Sequence, residues 1–340
     1  MKRILRILVV AAVLAALAAA AGYYVVLSPN TEVNDDARIY IREGDRFETV
    51  LDSLQSRSYV KNSTTLRWTA ELKRYSGKVK PGCYRIEDGM NNNDLINLFR
   101  SGNQLAVHLT FNNVRTLEQM AGIVSRQLDI DSADFLHTAQ SRELQQELGF
   151  TPENVIGLFI PDTYQVYWSL SPEELIRRMA AEYHAFWNRE RTEQARKAGL
   201  SPMDIAILAS IVEEETILTE EYPLIAGVYI NRLKRGMFLE ACPTLKFALN
   251  DFTIRRVLHT HIAVDSPYNT YKHKGLPPGP VRMPSPRAMD AVLNYARHDY
   301  IFFCADSDFS GRHRFSKTLK QHNEYAARYH AELNRRNIYQ

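Results

Sequence analysis

Ser201–Leu218 reads SPMDIAILASIVEEETIL, and the class of the protein turns on this stretch. Ser201 as cap, Pro202 at the first helical position and Asp204 three residues after the cap make a helix start. A helix is therefore predicted over Ile205–Leu218. Spaced at about 100° per residue, Ile205, Ile207, Leu208, Ile211 and Val212 fill one broad arc, and Glu215 falls inside it between Leu208 and Ile211. Glu214 points to the polar side. Glu213 lies on a third flank beside the small residues Ala206, Ala209 and Ser210. A carboxyl that borders a core yet is approachable past small side chains is how a proton donor with a raised pKa is built. Glu213 is the candidate acid on that ground. Glu215 is a buried partner that needs a hydrogen bond or a cation, with Arg232 as the candidate, because an unpaired buried carboxylate is costly. The plain alternative is a solvated helical face.

Outward from this helix the pattern is mixed. Thr116–Gly199 is mostly helical, broken by the aromatic loop Gly157–Trp168 (GLFIPDTYQVYW), for which burial in a core is favoured over sugar stacking. Trp187–Ala198 is a charged, solvated helix. Nearer the N-terminus, residues 31–37 read as a polar stalk. Ala37–Arg42 alternates as a strand, and helical spacing follows in Phe47–Leu54 and Thr64–Tyr75. A short strand, Cys83–Ile86, leads to a helix from Asn93 and then to a strand-like Leu105–Phe111. This βααβ-like unit resembles a LysM-type module, a fold that holds glycans; a plain packing subdomain fits the pattern equally.

The charge arithmetic is local. Among 340 residues, 42 Lys+Arg face 39 Asp+Glu, and Lys2, Arg3 and Arg6 supply the whole excess. The remainder is balanced, so no basic field for nucleic acid exists and none is expected as a partner. Those three cations precede ILVVAAVLAALAAAAGYYVVL, Ile7–Leu27, an uncharged run that spans about 31 Å as a helix and matches a bilayer core. Acidic Glu32, Asp35 and Asp36 follow it, so the positive-inside rule places the N-terminus in the cytoplasm and the rest outside. A cleaved signal peptide is the rival reading, with Ala18–Ala21 as the cleavage region, but the run continues to Leu27.

Three cysteines, Cys83, Cys242 and Cys304, make no disulfide framework in a chain of this length. No C-x-x-C or H-E-x-x-H spacing accompanies Cys242, His259 and His261, so neither a metal nor another cofactor is expected. The segments together predict an α+β protein: an N-terminal transmembrane helix (1–30), a small LysM-like α/β subdomain (31–108) and a larger mixed α+β catalytic domain (109–340).

Several segments then recur in a recognisable order: LASIVEEET (Leu208–Thr216), IAGVYINRLKRGM (Ile225–Met237), Pro243-Thr244, SPYNTYKHKGLPPGP (Ser266–Pro280), YIFFCAD (Tyr300–Asp306) and GRHRFSKTLKQHN (Gly311–Asn323). With PDTY at Pro161–Tyr164, they resemble the endolytic murein transglycosylase family, MltG or YceG-like, over nearly the whole chain. The resemblance implies cleavage of the β-1,4 bond between N-acetylmuramic acid and N-acetylglucosamine in nascent glycan strands, leaving 1,6-anhydro ends. It implies Glu213 as catalytic residue, the same residue the helical wheel selects. It also implies an inner-membrane enzyme whose protein partners are penicillin-binding proteins and the elongation machinery.

One carboxyl suffices for that chemistry. Glu213 protonates the glycosidic oxygen, then takes the proton of the C6 hydroxyl that attacks C1. The nucleophile is already attached, so no second carboxylate is needed to position water. Glu213 and Glu215, about 200° apart on the helix, do not form such a pair. Glu215 and Arg232 are expected in support. Asn231, Thr244, Tyr268, Asn269, Thr270, Tyr271, His313, His322 and Asn323 are the polar candidates for binding glycan, about half of them expected to hold loops instead. Gly275–Pro280 is read as stiff backbone able to approach a sugar. The chain departs from the family pattern at Cys242, where Asp is usual, at Glu240, where Gln is common, and at Ile156, where Glu is frequent. A non-catalytic glycan-binding scaffold and a hydrolytic muramidase are the alternative functions.

Overall fold

In the computed structural model, residues 2–75, 77, 79–254 and 257–336 are described. The helices among them are α1 (Lys2–Leu27), α2 (Phe47–Ser56), α3 (Ser63–Leu72), α4 (Asn92–Ser101), α5 (Leu117–Gln127), α6 (Ser132–Ala139), α7 (Arg142–Leu148), α8 (Pro172–Phe186), α9 (Arg189–Ala198), α10 (Pro202–Glu215), α11 (Tyr222–Lys234), α12 (Cys242–Ala248), α13 (His259–Ile262), α14 (Pro286–Leu293) and α15 (Leu319–Arg335). The strands are β1 (Arg38–Ile41), β2 (Gly82–Arg85), β3 (Ala106–Phe111), β4 (Asp162–Tyr167), β5 (Phe302–Ala305) and β6 (His313–Ser316), in three two-stranded sheets. The fold is mixed helix and strand with an N-terminal apolar helix.

Two units divide the chain. The first holds the residues up to Leu109 with Gln127–Ile130 and Tyr164–Leu170. Its α1 is long and apolar enough to cross a membrane and buries none of its own residues. The Val25 carbonyl, near the end of α1, accepts the Asn92 amide at 2.7 Å and the Thr69 hydroxyl at 3.4 Å. The expected polar stalk is corrected at its two ends, where Thr31 and Ala37 are buried, while Glu32 and Asn34–Asp36 are exposed. The Thr31 N–H bonds to the Met90 carbonyl and its hydroxyl to that of Glu87, because a β-bridge to Val60 threads it into the unit.

Beyond it, β1 and β2 pair antiparallel from Arg38 opposite Arg85 to Ile41 opposite Gly82. Alternation turns Ile39 and Ile41 inward, where they meet Phe47, Val50, Leu51 and Leu54, spaced at three and four residues along α2. Asn91 caps α4 by accepting the Asp94 N–H, and Gly102 ends it in the left-handed region at φ 73°.

The second unit holds Thr110–Arg126, Asp131–Thr163 and the chain from Ser171 onward. Its centre is α10, where every residue from Ile205 to Val212 is buried. Helices α11, α12 and α14 pack around it. On α11, Gly227 lies so close to the Ala296 carbonyl that a Cβ there would overlap it, which is why the neighbouring chain can pass. The hairpin of β5 and β6 pairs Phe302 with Ser316 and Ala305 with His313, and α15 packs on it. The loop expected over Gly157–Trp168 contains strand β4, and its Phe159 and Tyr164 are buried.

Candidate active site

A reciprocal cap starts α10: the Ser201 hydroxyl accepts the Asp204 N–H, the Asp204 carboxylate accepts the Ser201 N–H, and Pro202 opens the first turn. The helix stops at Glu215, three residues before the predicted end, because Thr216 is extended and its hydroxyl accepts the Leu218 N–H. All three glutamates therefore occupy the last turn. Unpaired carbonyls give that end of a helix partial negative charge, so three carboxylates there need cations or donors from elsewhere.

Glu214 receives two of them. Arg115 Nη2 reaches its Oε1 at 2.6 Å and Arg282 Nη1 reaches the same oxygen at 2.8 Å, with the Glu214 side chain only 15% exposed. The polar, outward position read from the wheel is corrected: two guanidiniums from distant segments enclose it. Arg282 also donates to the Asn113 side chain at 2.5 Å.

Glu213 sits beside them. Its Oε2 accepts the Ser285 N–H at 3.0 Å and lies 3.9 Å from Arg282 Nε. Ser285 is the cap of α14, accepting the Ala288 N–H, so the carboxyl faces the N-terminal end of that helix. Oε1 has no hydrogen-bond partner among the described residues. Below it, the Ser210 hydroxyl donates to the Ile207 carbonyl at 2.7 Å and accepts the Val281 N–H at 3.0 Å, which docks the chain ahead of α14 onto α10. The segment Gly275–Pro280 approaches protein rather than open space. A Cβ at Gly279 would overlap the Glu153 carbonyl, and Pro277, Gly279 and Pro280 are buried.

Glu215 turns to Tyr229, whose hydroxyl donates to Oε1 at 2.5 Å. Desolvation pushes the Glu215 carboxyl above its ordinary value, with the Tyr229 bond and the nearby His313 opposing it. Burial, reinforced by the Glu215 charge, drives the Tyr229 hydroxyl well up. The expected pairing of Glu215 with Arg232 is corrected. Arg232 is committed to the carbonyls of Ile301 (2.7 Å), Phe238 (3.1 Å) and Leu239 (3.0 Å) and to Glu240 (2.8 Å), over the ring of Phe302. A tyrosine satisfies Glu215 instead.

Two cavities within this unit share Glu215. One, about 450 Å³, is lined by Asn113, Arg115, Glu213, Glu214, Glu215, Thr216, Ile217, Arg282, Gly311 and His313. The other, about 320 Å³, includes Glu215, Tyr229, Arg232, Glu240, Cys242, Tyr271, Phe302 and His322. In the second, burial raises the Cys242 thiol and the Tyr271 hydroxyl, which lie 3.5 Å apart, and lowers the His322 imidazole with help from Arg232. Its thiol is therefore biased toward the unreactive protonated form. His322 stacks on Phe302 with ring centroids 5.4 Å apart.

The cavities thus gather Glu213, Glu215, Arg232, Tyr271, His313 and His322. Other polar candidates hold loops. Asn231 donates to the carbonyls of His298 and Tyr300, and Asn269 to those of Ile262 and Val264. Thr244 and Thr270 bond to each other at 2.8 Å and are buried, with Thr270 also accepting the Ala241 N–H. Tyr268 donates to the Glu153 carbonyl at 3.2 Å, and its burial pushes the hydroxyl up to about 12. Asn323 is exposed on α15 and lines neither cavity. Asn113, Arg115, Arg282, Ser285 and Glu221 were not visible in the sequence reading. Three adjacent carboxylates call for cations, but nothing in the order of residues selects Arg115 and Arg282 among 42 Lys+Arg.

The sequence matches the YceG-like family over residues 39–328. This chain belongs to that family. An endolytic murein transglycosylase of Bacillus subtilis (strain 168) is 27% identical over 312 residues, covering 87% of this chain and 85% of the relative. Another of the same name from Streptococcus pneumoniae serotype 2 (strain D39) is 28% identical over 320 residues, covering 84% of this chain but 58% of the longer relative. The crystal structure of a yceG-like protein from Listeria monocytogenes superimposes with a TM-score of 0.57 at 25% identity, covering 85% of this chain and 98% of that one.

Proposed function

We propose that this YceG-like chain is a membrane-anchored endolytic lytic transglycosylase that cleaves the bond between N-acetylmuramic acid and N-acetylglucosamine in peptidoglycan, with Glu213 as catalytic acid. The observation that carries the reading is Glu213 itself: a carboxyl at the wall of a 450 Å³ cavity, one oxygen fixed by the Ser285 N–H and the other without a partner among the described residues. The relatives' names supply the substrate class. Glu213 gives its proton to the bridging oxygen, and the C6 hydroxyl of the same muramic acid attacks C1, so no water enters the product. Glu215, facing Tyr229, is a supporting residue that shapes both cavities. Tyr271 and His322 of the second cavity offer hydrogen bonds to an adjoining sugar.

Helix α1 anchors the enzyme in the inner membrane with its N-terminus in the cytoplasm, residues 31–108 form a LysM-like unit that holds glycan, and residues 109–340 are the catalytic part. Penicillin-binding proteins and the elongation machinery are the proposed protein partners, through the family resemblance.

The test is the product. Purified uncrosslinked glycan strands are incubated with wild type and Glu213→Gln, and the ends are read by mass spectrometry. Anhydro ends from wild type that fall at least about 100-fold in the variant are expected. Anhydro ends persisting in the variant refute the Glu213 assignment, reducing ends indicate a muramidase, and no new ends from either protein indicate a scaffold.

A further inference from the structure

One imidazole on the wall of the Glu213 cavity is built into place. His313 opens β6, and its own N–H donates to Glu221 Oε1 at 2.8 Å while its Nδ1 lies 2.7 Å from Glu221 Oε2. A single carboxylate thus grips both the backbone and the ring. Glu221 is 4% exposed, at the start of α11, and has no other polar side-chain partner among the described residues. Phe303 meets the ring edge-on, with centroids 5.3 Å apart, which fixes its plane. The His313 side chain is 13% exposed, it lines the cavity with Glu213, and its Nε2 has no hydrogen bond among the described residues.

A carboxylate at Nδ1 keeps the proton on that nitrogen and leaves Nε2 of the neutral ring with a free lone pair. An oriented imidazole with its acceptor free, lining the same cavity as a carboxyl acid, is the arrangement of a general base and its holder.

We propose that His313, positioned by Glu221, is the base that accepts the proton of the attacking C6 hydroxyl. The assignment rests on the transglycosylase reading above and takes the second proton step away from Glu213. The O–H bond of Glu213 breaks as its proton passes to the bridging oxygen and the bond from that oxygen to C1 breaks. The C6 oxygen bonds to C1 as its own O–H breaks, and that proton passes to Nε2. Glu213 is left as carboxylate and His313 as imidazolium, and return of one proton from His313 to Glu213 through the solvent of the cavity restores both. No co-reactant is consumed. Glu221 is a positioning residue, since it acts only through the ring.

The test uses the full-length protein in detergent with uncrosslinked glycan strands, counting anhydro ends. His313→Ala is expected to lower kcat about 100-fold with KM within about threefold, and free imidazole is expected to restore part of the lost rate. Glu221→Gln is expected to lower kcat about tenfold at unchanged KM. Imidazole is expected to rescue the double variant as well as it rescues His313→Ala, because a free ring needs no holder. His313→Gln, closer in shape, serves where the alanine variant melts early. A kcat within about threefold of wild type, a loss carried by KM alone, or a folded His313→Ala enzyme insensitive to imidazole overturns the assignment. Reducing ends from wild type overturn the parent reading instead, independently of any His313 variant.

Discussion

Replacing Glu214 with Gln keeps the side-chain volume and removes the charge that two guanidiniums in the cavity share. The Arg115 and Arg282 guanidiniums both rest on Glu214 Oε1, and the three side chains are 27%, 11% and 15% exposed. Taking one partner from a fully buried pair costs about 3–5 kcal/mol. Partial exposure of Arg115 and the open cavity reduce that to about 2–3 kcal/mol here. For a unit of this size, about 2–4 °C per kcal/mol gives a melting point lower by roughly 4–12 °C.

A second effect is local. The Arg282 Nε has no hydrogen bond among the described residues and stands 3.9 Å from Glu213 Oε2, so a freed Arg282 has Glu213 as its next anion. Closing that gap to about 2.8 Å strengthens the attraction by about 1.7 kcal/mol at an effective dielectric of about 20. Proton donation then slows about 10- to 20-fold. Calorimetry and anhydro-end counts on the same preparation measure both effects, and Arg282→Met with the double variant gives the coupling, expected above about 1 kcal/mol. A Glu214→Gln protein that melts within about 1 °C of wild type and works within about twofold of it refutes the argument.

Three further outcomes follow from other contacts. Glu215 is raised by burial, so its neutral form contributes stability that is complete below the unfolded value near 4.5 and is lost as pH rises through the folded value. Urea melts of Glu215→Gln and wild type between pH 5 and 8 are expected to move in favour of the variant as pH rises; a pH-independent difference contradicts this. Ser210→Ala leaves the buried Val281 N–H without its acceptor and is expected to cost about 1–3 kcal/mol in urea melts, and to lower the rate by loosening the chain that presents the Ser285 N–H. Deleting residues 2–24, which leaves Val25 to bond Asn92 and Thr69, is expected to move the protein from the membrane to the soluble fraction in flotation gradients at an unchanged melting point.

What the sequence made legible was local. The cap of α10 lies within four residues, and Ser201, Pro202 and Asp204 announce it. The strand–helix–helix–strand order of the first unit follows from period two in β1 and period three to four in α2. Other features depend on partners far along the chain. The early end of α10 leaves Glu214 to be met by Arg115, 99 residues before it, and by Arg282, 68 residues after it. The SPYNTY motif names Asn269 and Thr270 as hydrogen-bonding residues but carries no information on direction: Asn269 turns to the carbonyls of Ile262 and Val264, and Thr270 to Ala241 and Thr244 at the start of α12. The sequence pairs Arg232 with the buried Glu215, whereas four acceptors from the loops around it already use it. Glu221 lies six residues beyond the end of α10, yet only the hairpin brings His313 to it.

The cavity around Glu213 draws its walls from Asn113 through to His313. A ribosome that has just added Glu213 has a hundred residues still to translate before His313 is made. If Glu213 is the acid, as proposed, it is made a hundred residues before the His313 wall that completes its cavity.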